Sequence, residues 1–207
     1  MDGVRGDQLT AIDVTPSYWE LGLNLFRDGS EMPVKAYFGN VLKAREEGSC
    51  FYAPQSPSDP PAFKYVWTGL VLHVLNQQDC EAFVRQIYDT LLLRAEGEEG
   101  ATYFGTCVGS RVAREWIPTP NSQKRYLHSR ESLRHLFETV GFVNIEVRAY
   151  ERVDADDGDD RLNFNSWKRM EDSAERATEV TSNPKGNPID AQITVMLSFK
   201  AEKKRRN

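Results

Sequence analysis

Two hydrophobic periods take turns along this chain, and their order leaves few folds open. Leu9 to Val14 is a short apolar run containing an acid near its end, and Pro16 then opens a segment in which Trp19, Leu23 and Phe26 recur at helical spacing. Val34 to Phe38 reads as a second strand with Gly39 and Asn40 behind it, and Glu46 to Pro61 has the Pro, Ser, Gly and Gln content of a surface loop. Ala62 to Trp67 is a third strand candidate, and Leu70 to Leu75 predicts a short helix lying across its end. From Asp79, read as an N-cap, Phe83, Ile87 and Leu91 mark an amphipathic helix that dissolves in the turn-like Ala95 to Gly100. Ala101 to Val108 is the fourth strand. Ser129, followed by Glu131 and Ser132, starts a helix that buries Leu133, Leu136, Phe137 and Val140 and stops at Gly141. Asn144 to Ala149 alternates as a fifth strand, an irregular stretch runs from Glu151 to Asp190, and Ile193 to Phe199 supplies a last one. Parallel neighbours require crossover connections, so this alternation predicts an α/β fold: an open, mostly parallel sheet with helices on both faces, closed by a hairpin-like pair.

Composition narrows the function classes. A net charge of −5 disfavours a nucleic-acid partner, because non-specific affinity for a phosphate backbone rests on many Lys and Arg contacts. The basic run Lys203 to Arg206 reads as a solvated terminus. No apolar run approaches the roughly 20 residues of a membrane span, which predicts no membrane partner. The first ten residues carry neither a secretory nor an organellar pattern, and a cytoplasmic location is the expectation that remains. Cys50, Cys80 and Cys107 are widely spaced and read as free thiols. His73, His128 and His135 form no metal-binding pair, so no metal is expected. The acidic DADDGDD stretch lacks the glycine position and the twelfth-place Glu of a calcium loop and reads as solvated.

The segment IDVTPSYWELGLNLFRDGSEMP resembles the second strand, following helix and next turn of fungal small-molecule class I S-adenosylmethionine-dependent methyltransferases of the secondary-metabolite type. YFGNVL is similar to their third strand. FKYVWTGLVLHVLNQQDCEAFVRQIYDTLL and TYFGTCVGS resemble the fourth strand, its helices and the fifth strand; RYLHSRESLRHLFETVGFVNIEV and ITVMLSFKAEKK resemble the late helix and the last two strands. The resemblance implies a Rossmann-like sheet with an antiparallel last strand, the cofactor S-adenosyl-L-methionine, and a small-molecule acceptor of polyketide or terpenoid type.

It also implies site residues. Asp13 takes the place of the acid that binds the ribose hydroxyls, although an N-cap for the helix after Pro16 is the other reading of the same residue. Asn40 stands where an acid usually accepts the adenine amino group, with the Val41 backbone beside the ring; a turn residue is the alternative. Trp67 and Thr68 fall at the cofactor side of the fourth family strand, Trp67 packing against the adenosine or filling core space. His73 is the candidate catalytic group, as proton acceptor or acceptor-orienting side chain, against the alternative of a satisfied core histidine; His128 and Tyr126 are weaker candidates.

Two departures accompany the resemblance. Only eight residues precede Leu9, too few for the family's first strand, glycine-rich loop and first helix, and Trp67 replaces a smaller or polar residue. The expectation is a single, incomplete domain over residues 1–207, lacking the central first strand and so gapped in its sheet, with 151–190 as an irregular insertion or lid in which Phe164, Trp167 and Met170 recur at near-helical spacing. A homodimer or a completing partner chain would accompany such a domain. A non-catalytic methyltransferase-like fragment acting through a partner is the competing expectation.

Overall fold

A computed structural model describes residues 6–26, 34–43, 63–92, 100–119, 122–152, 167–170 and 194–203. β1 (Thr10–Asp13) leads through α1 (Pro16–Phe26) to β2 (Lys35–Phe38), which pairs with it in parallel, Thr10 opposite Lys35 and Asp13 opposite Phe38. Pro16 sits at the first helical position, where its missing N–H costs nothing and its fixed φ favours the turn.

A second sheet holds five strands in the order β3 (Tyr65–Gly69), β4 (Thr102–Ser110), β9 (Thr194–Lys203), β7 (Phe142–Arg152) and β8 (Trp167–Arg169). β3 and β4 run parallel, while β9 is antiparallel to both β4 and β7. The expected α/β fold with an antiparallel last strand is therefore present, but the described sheet is mixed rather than mostly parallel, β3–β4 being parallel and β4–β9, β9–β7 and β7–β8 antiparallel. Among the described residues β1 is hydrogen-bonded only to β2, and β3 only to β4, so each of these two strands has one unpaired edge. Ile12, Tyr37, Val41 and Leu42 nevertheless pack, partly buried, against the main core.

That core lies on one face of the five-stranded sheet, under α2 (Gln77–Gln86) and α3 (Arg130–Val140). Tyr103, Cys107, Leu197, Phe199 and Ala201 point into it, and the Tyr103 ring meets Phe137 edge-on with centroids 5.8 Å apart and Phe199 at 5.0 Å. Burial drives the Cys80 and Cys107 thiols up to about 12, so both stay protonated and behave as small apolar groups. The opposite face changes character from strand to strand. Tyr65, Trp67 and Phe104 lie exposed over β3 and β4, whereas Glu146, Arg148, Lys200 and Glu202 cover the same face over β7 and β9.

Several local expectations hold and several do not. α3 begins at Ser129, whose hydroxyl accepts from Ser132 N while Ser132 Oγ accepts from Ser129 N, and it ends at Gly141 with φ 110°, a left-handed value that a side chain would resist. α2 starts earlier than predicted: its cap is Asn76, which accepts from Asp79 N at 2.8 Å, and Asp79 stands in the first turn, where it also complements the helix dipole. The near-helical spacing assigned to Trp167 and Met170 gives way to extended chain, with Trp167 opposite Arg152 in β8 and Met170 N bonded to Ala149 O. A ladder satisfies those backbone groups more cheaply than an isolated turn would. Expectations for Glu46 to Pro61, for Cys50, for 93–99, for most of 151–190 and for the tail beyond Lys203 lie outside the described residues. Among the described residues no helix is long and apolar enough to cross a membrane, and no three His, Cys, Asp or Glu side chains cluster as a metal site.

Candidate functional site

Open parallel sheets present their ligand-facing loops at the carboxyl ends of the strands. Asp13 and Asn40 occupy neighbouring strand ends here. Gly39 N donates to Asp13 O at 2.8 Å, continuing the parallel ladder one step past β2 and setting Asn40 beside the tip of β1. Asp13 Oδ1 accepts from Thr15 N at 2.8 Å, and Asn40 Oδ1 accepts from Leu42 N at 2.9 Å. Each side chain thus fixes the turn that leaves its strand while remaining exposed. Among the described residues the second carboxylate oxygen of Asp13 and one lone pair of the Asn40 amide oxygen have no hydrogen-bond partner. Both readings of each residue, turn-former and ligand-binder, are compatible in one geometry. The 3-10 turn Val41–Lys43, which follows the tip of β2, packs on α2.

On β3, Trp67 and Thr68 alternate to opposite faces, and their side chains do not line one surface. Trp67 is 63% exposed, which removes the core-filling alternative; its ring leans over Gly69 toward the strand's carboxyl end, where an added Cβ would meet ring carbon Cη2 at 2.4 Å. Thr68 faces the core side and shares a hydrogen bond of 2.9 Å with the Tyr103 hydroxyl. Leu70 follows with φ 58°, a left-handed conformation that costs a leucine on the order of 1–2 kcal/mol and turns the chain sharply out of the strand.

That turn delivers the 3-10 segment Leu72–Val74 and, on it, His73. His73 is half-buried rather than a satisfied core histidine, for its Nδ1 is shut from solvent and has no hydrogen-bond partner among the described residues. Burial, and after it the positive charge of Arg125, holds its pKa below the usual imidazole value, so the ring is neutral at pH 7. Arg125 comes from an element the sequence did not announce, a hairpin of β5 (Arg114–Trp116) and β6 (Arg125–Leu127). Tyr126 N donates to Leu75 O at 2.8 Å, which ties β6 to the His73 segment.

His128 follows β6 directly. It is buried, its Nδ1 is 3.1 Å from Ser132 Oγ, its Nε2 has no hydrogen-bond partner among the described residues, and burial pushes its pKa down to about 4. Its carbonyl accepts from Ser110 N at 2.9 Å, an approach that needs glycine at 109, because a Cβ there would meet His128 O at 2.6 Å. Tyr126 stands edge-on to the His128 ring with centroids 4.8 Å apart. The strand ends therefore gather two groups: Asp13, Asn40 and Val41 at one, His73, Arg125, Tyr126 and His128 at the other. Trp67 reaches toward the same end of β3, and the Thr68 side chain does not. Sequence reasoning missed Arg125; its one signal was the alternation of Arg125, Tyr126 and Leu127, too short to stand out.

No family model matches the chain, and no curated protein matches it. Solved structures do. Phosphoethanolamine N-methyltransferase 2 of Haemonchus contortus, in complex with S-adenosyl-L-methionine, is similar with a TM-score of 0.52 and 13% identity over 96% of this chain and 44% of that one. The 1,6-didemethyltoxoflavin-N1-methyltransferase of Burkholderia thailandensis, with 1,6-didemethyltoxoflavin and S-adenosylhomocysteine bound, gives 0.50 and 11% over 95% and 62%. A SAM-dependent methyltransferase of Methanosarcina mazei gives 0.51 and 10% over 95% and 82%. This chain spans less than half the length of the Haemonchus protein. At these identities the likeness establishes the fold, a Rossmann-like α/β sheet of the kind found in class I methyltransferases.

Proposed function

We propose that this chain belongs to an S-adenosylmethionine-dependent methyltransferase of the secondary-metabolite type, which acts in the cytoplasm on a small-molecule acceptor of polyketide or terpenoid character. The observation that carries the proposal is the pairing of Asp13 with Asn40 at adjoining carboxyl ends of parallel strands, each with hydrogen-bonding capacity left over. Support comes from solved structures of the same fold that hold S-adenosylmethionine or S-adenosylhomocysteine.

When bound, S-adenosylmethionine would supply an electrophilic methyl group on a sulfonium sulfur. Asp13 accepts from the ribose hydroxyls through its unengaged oxygen. Asn40 and the Val41 backbone receive the adenine edge, while Trp67 offers an aromatic surface and Thr68 its backbone at the end of β3. His73, whose pKa burial and Arg125 hold below the usual imidazole value, would accept the proton of the acceptor's heteroatom. The rest of the rate comes from holding nucleophile and methyl at near-attack distance away from water.

The two unpaired edges, of β1 and of β3, fit a further parallel strand between them, supplied with its glycine-rich loop by a completing polypeptide segment. The same edges favour a second reading, a non-catalytic fragment that works through a partner chain. Calorimetry separates the two. S-adenosylhomocysteine is titrated into this chain and into a version extended upstream of Met1 in the genomic reading frame. Binding by the extended form, weakened about tenfold or more in Asp13→Ala for the loss of a charge-assisted bond, supports the enzyme; binding by neither form leaves the fragment reading.

A further inference from the structure

Arg125 is the cation among the strand-end groups that the mechanism above does not employ, beside Tyr126 and His128. Among the described residues it has no carboxylate partner; its guanidinium lies over the Trp116 ring, 5.9 Å from the centroid. Register places Trp116 directly opposite Arg125 across the hairpin, so the stacking is built into the ladder rather than left to a wandering side chain. A guanidinium held over a ring at this distance still has N–H groups along its edge, and that edge is the fork which matches a planar oxyanion with two parallel hydrogen bonds. The residue is half-buried, and the bond from Tyr126 N to Leu75 O holds it next to the segment that carries His73.

We propose that the acceptor carries an oxyanion group, carboxylate or phosphate, which Arg125 takes at the β6 edge so that the rest of the molecule lies against His73. The assignment rests on the methyl-transfer reading for what the bound molecule is, and on this chain alone for where its charge goes.

A second consequence follows from the same arrangement. β6 and β4 pack on the His73 segment and α2 bonds to it, Cys80 Sγ donating to Leu72 O at 3.2 Å; the titratable groups these elements carry are Arg125 and Tyr126 on β6, Tyr103 and Cys107 on β4, and Asp79 and Cys80 on α2. Of these, Arg125 is the charge that disfavours protonation of His73. An oxyanion on Arg125 cancels that repulsion. His73 then becomes a better proton acceptor only when a molecule of the right charge is in place.

The test is an NMR titration of the imidazole nitrogens in the full chain labelled at histidine, with sodium benzoate or inorganic phosphate as the probe. In the unmodified protein a probe that binds moves the His73 midpoint upward and leaves His128 unmoved. Arg125→Gln raises the His73 midpoint with no probe present and abolishes the response, whereas Arg125→Lys keeps the low midpoint but weakens probe binding about tenfold, because an ammonium lacks the fork. A response to benzoate alone assigns a carboxylate, to phosphate alone a phosphate, and to both an oxyanion site without preference. Silence toward both probes, or an equal response in Arg125→Gln, overturns the assignment. No step uses S-adenosylhomocysteine, so failure of the methyl-transfer reading in the calorimetry leaves this result standing and the two failures distinguishable.

Discussion

The β3–β4–β9–β7 sheet and the β1–α1–β2 unit are built from similar residues and end up in opposite states. In the sheet, Tyr103, Phe137, Leu133 and Leu197 are closed off from water, and four aromatic rings interlock. In α1, Tyr18 is 71%, Leu21 63% and Leu25 71% exposed, a stripe spaced 3 and 4 residues apart, the spacing of a helix surface that meets another helix. The sheet has found its second layer within the described residues and the α1 unit has found only half of one. Apolar content therefore says little about where the stability of this chain resides; closure does.

Substitutions sharpen that contrast, beginning where the effect is largest. Phe137→Ala is expected to remove about 3–5 kcal/mol of stability, read from the midpoint of urea denaturation, because the ring touches Tyr103, Phe142 and Phe199 and its loss leaves a cavity they cannot fill. Next comes acid. His128 has a folded pKa of about 4 against 6.5 in the unfolded chain, so as pH falls the unfolded chain takes up the proton first. Its share of stability is complete above about pH 6.5, declines as pH drops toward about 4, and is constant below, a loss on the order of 3 kcal/mol. In His128→Gln the difference between midpoints measured at pH 7 and pH 4.5 should shrink accordingly; an unchanged slope would place the acid sensitivity elsewhere. Smallest is Leu21→Ala, which should move the midpoint by less than about 0.5 kcal/mol in this chain alone. A cost there comparable to that of Phe137→Ala would break the comparison outright.

What the sequence disclosed follows the same division. Strands and helices with a buried face announced themselves by periodicity, and α3 did so twice over, through Ser129 at its start and Gly141 at its end. The β5–β6 hairpin stayed hidden because its strands are three residues long and carry Arg, Glu and Tyr at positions that alternation cannot rank. The start of α2 was misplaced by three residues because Asn76 and Asp79 are both good caps, and only the Asn76 backbone, extended at ψ 172°, decides between them. At the site, Asp13 and Asn40 were legible as polar residues closing apolar runs. Arg125 was not, since its importance lies in what it lacks among the described residues, a carboxylate partner, and in a tryptophan ring nine positions earlier in the chain.

The uneven face of the large sheet sets a dimension. Tyr65, Trp67 and Phe104 span two adjacent strands, and the line of charge begins at the next one with Lys200 and Glu202. Two strand spacings amount to about 10 Å, which is about the diameter of one α-helix with its side chains. A single rod laid along β3 and β4 would dry that half completely and halt at the lysine row; anything broader would have to strip water from ionised groups, and the sheet would repel it.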